Sequence, residues 1–327
     1  MSKGSKKGFK PEEFGEHFLR GDFEKIYSQC INEFKEMAAL EDFIESAASF
    51  NEGVAGYRLA FETMIFGFTQ YIWIDSREEK AIAVSFGGND IQGMYFKPYI
   101  TYPESDRRST QTEFTMPVKD AWFVFWGGNN EFINYHYAYE SQRYAYDLVV
   151  MKNGKTYRNQ GLRNEDYYAF GKKVAAPADG RVIKVVDGIN DNPLGEMNES
   201  QFAGNYIVLE HLHNEYSLLA HFKKGSITVK EGDTVACGQV LGLCGNSGNS
   251  SEPHIHFQAM DAPDLENGRS LHIRFENGLE PIQGNTVHPP EAKKEQQTLD
   301  TVEKAEIAFS LSDLLLFIPR LIGQFFK

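Results

Sequence analysis

From Met116 to Gly284, short apolar runs alternate with turns of glycine, asparagine and aspartate, and this punctuation restricts the fold more than any other feature. Helices need about ten or more residues between breakers, whereas strands need only about four to eight. Residues 121–125, 144–151, 181–186, 206–212, 216–222, 240–244 and 254–260 have strand length and are rich in β-branched and aromatic side chains. An all-β domain is therefore expected over residues 116–284.

The preceding stretch reads differently. Phe23, Ile26, Tyr27, Cys30, Phe34, Met37, Leu40, Phe43 and Ile44 recur at three- and four-residue spacing, which predicts two or three short helices between residues 14 and 50. After Asn51-Glu52-Gly53 come β-rich runs at 57–74, 81–86 and 93–101, separated by polar turns. Helices followed by a strand meander predict an α+β N-terminal domain, residues 1–115, with helices on one face of an antiparallel sheet. The order and the Gly21-Asp22-Phe23 opening resemble the small cone-shaped domains of the nuclear-transport-factor-2 type. Residues 101–112, polar and carrying Pro103 and Arg107-Arg108, read as a connection between the domains.

At 327 residues the chain is long enough for about two domains, and 41% hydrophobic with 24% charged residues is ordinary globular composition. Thirty-three Lys+Arg against 46 Asp+Glu leave a net charge of -13, which excludes nucleic acid as the main partner. Cys30, Cys237 and Cys244 form neither a disulfide framework nor a CxxC pair, so a metal must be held by histidines and carboxylates. The basic start, Met1 to Lys10, is followed by no apolar signal region, and the expectation is a cytoplasmic, membrane-associated or non-Sec-exported protein. Residues 285–306, with Pro289-Pro290 and many charges, read as a linker. Residues 307–327 read as an apolar amphipathic helix, kinked at Pro319 and too interrupted by Asp313 and Arg320 for a conventional membrane span. Its expected partners are a groove of this chain or of a second copy, giving self-association, or a membrane surface.

Most of the nine histidines lie in the β-domain, and His254-Ile255-His256 is the informative pair. Residues i and i+2 of a strand share a face, so two imidazoles stand side by side while Ile255 faces a core. Such a pair is a satisfied structural feature, a metal site, or one ligand beside one acid-base group. Asp147 lies inside the apolar run Tyr146-Asp147-Leu148-Val149-Val150, where a lone carboxylate is costly. It calls for a cation, or else for a tyrosine or an arginine such as Arg143. His221, in Ala220-His221-Phe222, ends another strand. Trp122, Trp126, Tyr135, Tyr137, Tyr139 and Tyr144 suit core strands better than a substrate groove.

Five runs in order carry a resemblance: Ala176-Pro177-Ala178-Asp179-Gly180-Arg181-Val182, then Val229-Lys230-Glu231-Gly232-Asp233-Thr234-Val235, Gly238-Gln239-Val240-Leu241-Gly242, Gly245-Asn246-Ser247-Gly248-Asn249-Ser250 and Pro253-His254-Ile255-His256-Phe257. Over roughly residues 135–261 the chain resembles the lysostaphin/LytM zinc metalloendopeptidases. The resemblance implies a two-sheet antiparallel β-fold with one zinc per chain in a groove. It implies Asp147 and His256 as ligands, and His221 and His254 as the catalytic pair. The family's first ligand histidine stands four residues before the aspartate, where this chain has Arg143, which cannot release a proton to bind metal. His136, eleven residues before Asp147, takes its place if the intervening residues fold back; His211, with Glu140 behind it, is the reserve.

What the resemblance implies is hydrolysis by zinc-activated water of peptidoglycan cross-bridge or stem peptides, with His221 and His254 managing the proton and the developing oxyanion. Two other readings compete. A catalytically degenerate LytM-like module for wall binding or regulation would account for Arg143. A biotinyl/lipoyl-type carrier shares the Ala-Pro-Ala-Asp-Gly and Glu-Gly-Asp-Thr-Val turns but lacks a Met-Lys-Met hairpin. The domain order further raises the expectation that the N-terminal domain covers the groove and keeps the enzyme latent.

Overall fold

The computed structural model describes residues 8–65 and 67–289, which divide into two compact units, residues 8–99 and 100–289. The first opens with four helices, α1 (Phe14–Leu19), α2 (Phe23–Ser28), α3 (Asn32–Met37) and α4 (Leu40–Asn51). They precede β1 (Tyr57–Ile65), β2 (Phe68–Asp75), β3 (Lys80–Gly87) and β4 (Asp90–Pro98), an antiparallel meander in sequence order. Helices this short are unstable alone, and an aromatic face holds them. Phe14, Phe18, Phe23 and Phe43 pack on Trp73 and Val84 of the sheet. The expected helices-on-sheet arrangement is present, with the run 57–74 split into the β1–β2 hairpin. Nothing in this order singles out the nuclear-transport-factor-2 type among α+β units.

The second unit begins with α5 (Pro103–Asp106) and continues through strands joined by loops and short 3-10 turns: β5 (Ser109–Phe114), β6 (Trp122–Trp126), β7 (Tyr146–Val149), β8 (Lys173–Ala175), β9 (Gly180–Val186), β10 (Asn205–Glu210), β11 (Tyr216–Phe222), β12 (Thr234–Val235), β13 (Val240–Leu243), β14 (Ile255–Met260), β15 (Ser270–Phe275) and β16 (Thr286–Val287). The main sheet runs β12-β9-β10-β11-β14-β7-β6-β16, with β15 branching from β14, and β8 pairs with β13 in a second, small sheet. Pairing is antiparallel throughout except at β5, which lies parallel to β15 and thereby corrects the purely antiparallel expectation. The physical cause is local. Buried Glu215 accepts the backbone N–H groups of Gln111 (2.6 Å) and Thr112 (2.9 Å), fixing a polar segment as an edge strand.

That strand places residues 100–115 in the second unit, so the chain divides at 99/100 rather than at 115. Likewise, Thr286–Val287 of the expected linker pairs with Phe123 and Trp122 of β6. Residues 290–306 and the apolar segment 307–327 lie outside the described residues. Among the described residues no helix is long and apolar enough to cross a membrane.

Strand alternation gives the main sheet two different faces. Leu148, Leu219, Ile255, Phe257 and Phe222 pack with Trp122 and Phe114 into the principal core. Val208, Leu218, Ala220 and Met260 lie on the opposite face under partly buried Tyr206 and Leu265. Registry carries a row across four strands, with Ala220 opposite His256, His256 opposite Asp147 and Asp147 opposite Trp126. Directly opposed residues share a face, so the polar members of the row stand on the side away from the core.

Candidate metal centre and its two flanking histidines

Asp147 of β7 and His256 of β14 meet because their strands are neighbours in register. His256 Nδ1 lies 3.0 Å from Asp147 Oδ1. On its far side, His256 Nε2–H donates to Gln258 Oε1 at 2.8 Å, and Gln258 donates in turn to Ser141 O at 3.0 Å. That chain of bonds keeps the lone pair of His256 on Nδ1, facing the carboxylate.

His136 comes from the loop between β6 and β7, where residues 135–138 form a short 3-10 turn. Its Nε2 lies 3.5 Å from Asp147 Oδ2, and its Nδ1–H donates to Asn134 Oδ1 at 2.9 Å. Tyr135 stacks on the ring at 4.0 Å, and Trp126 packs on Tyr135. Donor atoms of His136, Asp147 and His256 all lie within 4.8 Å of one another, and all three residues are buried. Arg143 stands elsewhere. Its Nε–H donates to Tyr137 O, and its guanidinium stacks 3.6 Å from the centroid of Tyr102.

The two remaining histidines flank this cluster. His254, at the edge of β14, places Nε2 3.7 Å from Asp147 Oδ1 while its Nδ1–H donates to Glu252 O at 2.9 Å. His221 is the extra residue of a bulge in β11, since Asn205 pairs with Phe222 and Tyr206 with Ala220. Its φ of 70° lies in the left-handed region, which an ordinary side chain enters at a cost of about 1–2 kcal/mol. The bulge turns the imidazole toward the groove, where the His221 and His254 rings lie 4.7 Å apart. His221 Nδ1–H donates to Ser247 O at 2.7 Å, leaving Nε2 as the acceptor.

The Asn246–Ser250 loop therefore orients both flanking rings. Ser247 supplies the carbonyl for His221, and Ser250 Oγ sits 3.1 Å from His254 Nδ1. Gly248, at φ 80°, allows this loop to press against Gly204; a Cβ there would overlap Gly204 N. Gln258 and Asn134 were equally outside the sequence reading. The HxH pattern extended by two residues on the same strand face would have found Gln258.

The electrostatics are dominated by burial. Burial holds His136 neutral, lowering its pKa to about 3 against the pull of Asp147. His221 is also driven well below its ordinary value, by burial first and then by the neighbouring His254 and His256. Burial opposes ionisation of Asp147, but His136, His254 and His256 together outweigh it and hold the carboxyl below its usual range. The Asp147 carboxylate thus faces the neutral ring of His136 in a buried setting. Among the described residues, His136 Nε2 has no hydrogen-bond partner, an orphaned acceptor aimed at Asp147. Two imidazole nitrogens and one carboxylate oxygen form the donor set of an open zinc site, so these residues fit that ion.

The reserve residue His211 does not join them. Its ring nitrogens bond to Asp179 O (2.8 Å) and Ser217 Oγ (2.7 Å), and it packs edge-on against Phe114. Glu140, the next reserve, pairs with Arg108 instead of joining the cluster. His211 is a fully satisfied structural histidine.

A two-faced β-sheet thus carries a His-Asp-His cluster with two more histidines at its rim. Residues 163–273 match Peptidase family M23. That match covers about a third of the chain and shows an M23-type domain there. The matched stretch includes His221, His254 and His256 and begins after His136 and Asp147. Among curated relatives, the peptidoglycan DD-endopeptidase ShyA of Vibrio cholerae is 40% identical over 57 residues, 17% of this chain and 13% of that protein. ShyB of the same organism is 33% identical over 91 residues, 28% and 18%. An uncharacterized metalloprotease of Buchnera aphidicola is 32% identical over 104 residues, 32% and 26%. The chain thus spans about a quarter or less of the length of these relatives. Among solved structures, the catalytic domain of lysostaphin from Staphylococcus simulans aligns with 38% of this chain and 73% of its own at 23% identity, with a TM-score of 0.26.

Proposed function

We propose that this chain is a zinc-dependent endopeptidase acting on the cross-bridge or stem peptides of peptidoglycan. One observation carries the reading: among the described residues, His136, Asp147 and His256 converge on a buried point that leaves His136 Nε2 without a protein partner, beside the imidazoles of His221 and His254. His136, Asp147 and His256 would hold the ion, which supplies a Lewis acid that brings the pKa of water toward about 7 and polarises a peptide carbonyl. The remaining work falls to side chains. His221, kept neutral by burial, accepts a proton from the attacking water at Nε2. His221 then returns that proton to the leaving amine, while His254, whose ring lies 4.7 Å from that of His221, would stabilise the developing oxyanion through Nε2–H in its protonated form. Their Nδ1 bonds to Ser247 O and Glu252 O keep both rings aimed.

The substrate groove has a volume of about 430 Å3 and reaches His221 and His256 along walls formed by Phe202, Tyr206, Leu218 and Leu265. The peptidoglycan part of the reading is supported by what the named relatives cleave. The competing reading as a degenerate module finds its best support in Arg143, and the approach of His136 to Asp147 counts against it. The test is zinc content with digestion of purified peptidoglycan. About one zinc per chain and chelator-sensitive release of free amines are expected; a metal-replete protein that binds no zinc would refute the reading.

A further inference from the structure

The first ligand position comes from a loop, where a side chain is held less precisely than on a strand unless its surroundings fix it. One side chain closes this loop. Asn134 is fully buried, and its Nδ2 donates to Gly128 O (2.9 Å), Ala145 O (3.1 Å) and Arg143 O (3.3 Å). The two ends of the loop are therefore tied through a single amide. Its Oδ1 accepts His136 N (3.2 Å) and His136 Nδ1–H (2.9 Å). Arg143 closes the same loop from the other side through Tyr137 O.

We propose that Asn134 is the positioning residue that makes His136 a metal ligand, by folding the 128–145 loop onto itself and confining the proton of His136 to Nδ1. The inference rests on the zinc reading above and adds to it. An imidazole with its proton on Nε2 would present N–H, not a lone pair, to Asp147 and to a cation. A side chain with only an acceptor cannot tie the carbonyls, and one with only donors cannot select the tautomer. Asn134 does both, and this explains how the chain dispenses with a histidine four residues before the aspartate. Arg143 occupies that position as a loop clamp.

The experiment measures zinc affinity of the full chain by competition with a chromophoric chelator, for wild type, Asn134→Ala, His136→Ala and the double variant. Asn134→Ala is expected to weaken zinc binding about 10- to 100-fold, the usual effect of removing an outer-shell partner. In the His136→Ala background the same substitution is expected to change affinity less than about twofold, because Asn134 then has no ligand to position. A loss that persists in full in that background, or an Asn134→Ala protein within twofold of wild type, overturns the proposal. Unchanged zinc affinity in His136→Ala alone would instead overturn the ligand assignment. Should Asn134→Ala fail to fold, long-range 15N–1H correlation spectra of the metal-free wild type decide. They are expected to show His136 protonated at Nδ1, and protonation at Nε2 overturns the proposal.

Discussion

Acidifying the metal-free protein from pH 7 to pH 5 should destabilise the second unit by an amount that His136 largely sets. Burial lowers the pKa of His136 to about 3, against an ordinary value of 6.5. A histidine with a depressed pKa stays neutral in the folded state while the unfolded chain takes up a proton. Its stability contribution is therefore complete above about pH 6.5 and is lost progressively as pH falls from there toward about 3. At pH 5 the interval from 6.5 is 1.5 units, which at about 1.4 kcal/mol per unit amounts to about 2 kcal/mol. His221 adds a loss of the same sign. Asp147, whose pKa is also lowered, adds another only near and below the ordinary carboxylate range. Urea unfolding in a Trp73→Phe background would report on the second unit through Trp122 and Trp126 alone. With a slope of about 2 kcal/mol per M, the His136 contribution moves the midpoint by about 1 M. His136→Gln, which cannot titrate, should lose about 2 kcal/mol less than wild type over the same interval. Equal losses in the two proteins would refute the reasoning, since the burial of His136 would then have no energetic expression.

Three further outcomes follow from the geometry. His221→Ala and His254→Ala should each lower peptide hydrolysis by about 10²- to 10⁴-fold, the usual range for general acid-base groups, while zinc content measured by elemental analysis stays at the wild-type level. Gly248→Ala should reduce kcat/KM at least tenfold with zinc retained, because its φ of 80° and its approach to Gly204 hold the loop whose Ser247 carbonyl aims His221. Glu215→Ala removes the acceptor of two backbone N–H groups of β5 and should lower stability by about 2–4 kcal/mol in thermal unfolding, without altering the zinc stoichiometry.

Legibility in the sequence followed the physics of each element. Strands β9, β10, β11 and β14 were visible because one side of each faces the core, so their apolar residues mark both length and type. β5 was hidden, since Ser109–Phe114 is mostly polar and owes its conformation to a carboxylate about a hundred residues away. β15 carried a readable alternation of Leu271, Ile273 and Phe275, each buried, and was overlooked beside the glycine- and aspartate-rich turn before it. The expected connection at 101–112 and linker from 285 failed for one reason: short edge strands take their stability from a neighbour's unpaired backbone rather than from their own side chains.

For the site, the distinction between strand and loop decided what could be read. Asp147 and His256 were legible because a strand converts sequence position directly into a face, and antiparallel register then set them opposite each other. His221 was legible by resemblance, but the bulge that aims it was not, because a bulge depends on the pairing of two strands and not on either sequence alone. His136 is the harder case. Its separation from Asp147 in sequence carries no geometric meaning until the loop closes, and closure depends on Asn134 reaching three carbonyls at once. A ligand set is defined by where donor atoms end, not by the spacing of the residues that bear them. With Arg143 at the position four residues before Asp147, the donor atoms present still fit zinc: Arg143 bonds the turn carbonyl of Tyr137, and the neighbouring His136 reaches the carboxylate.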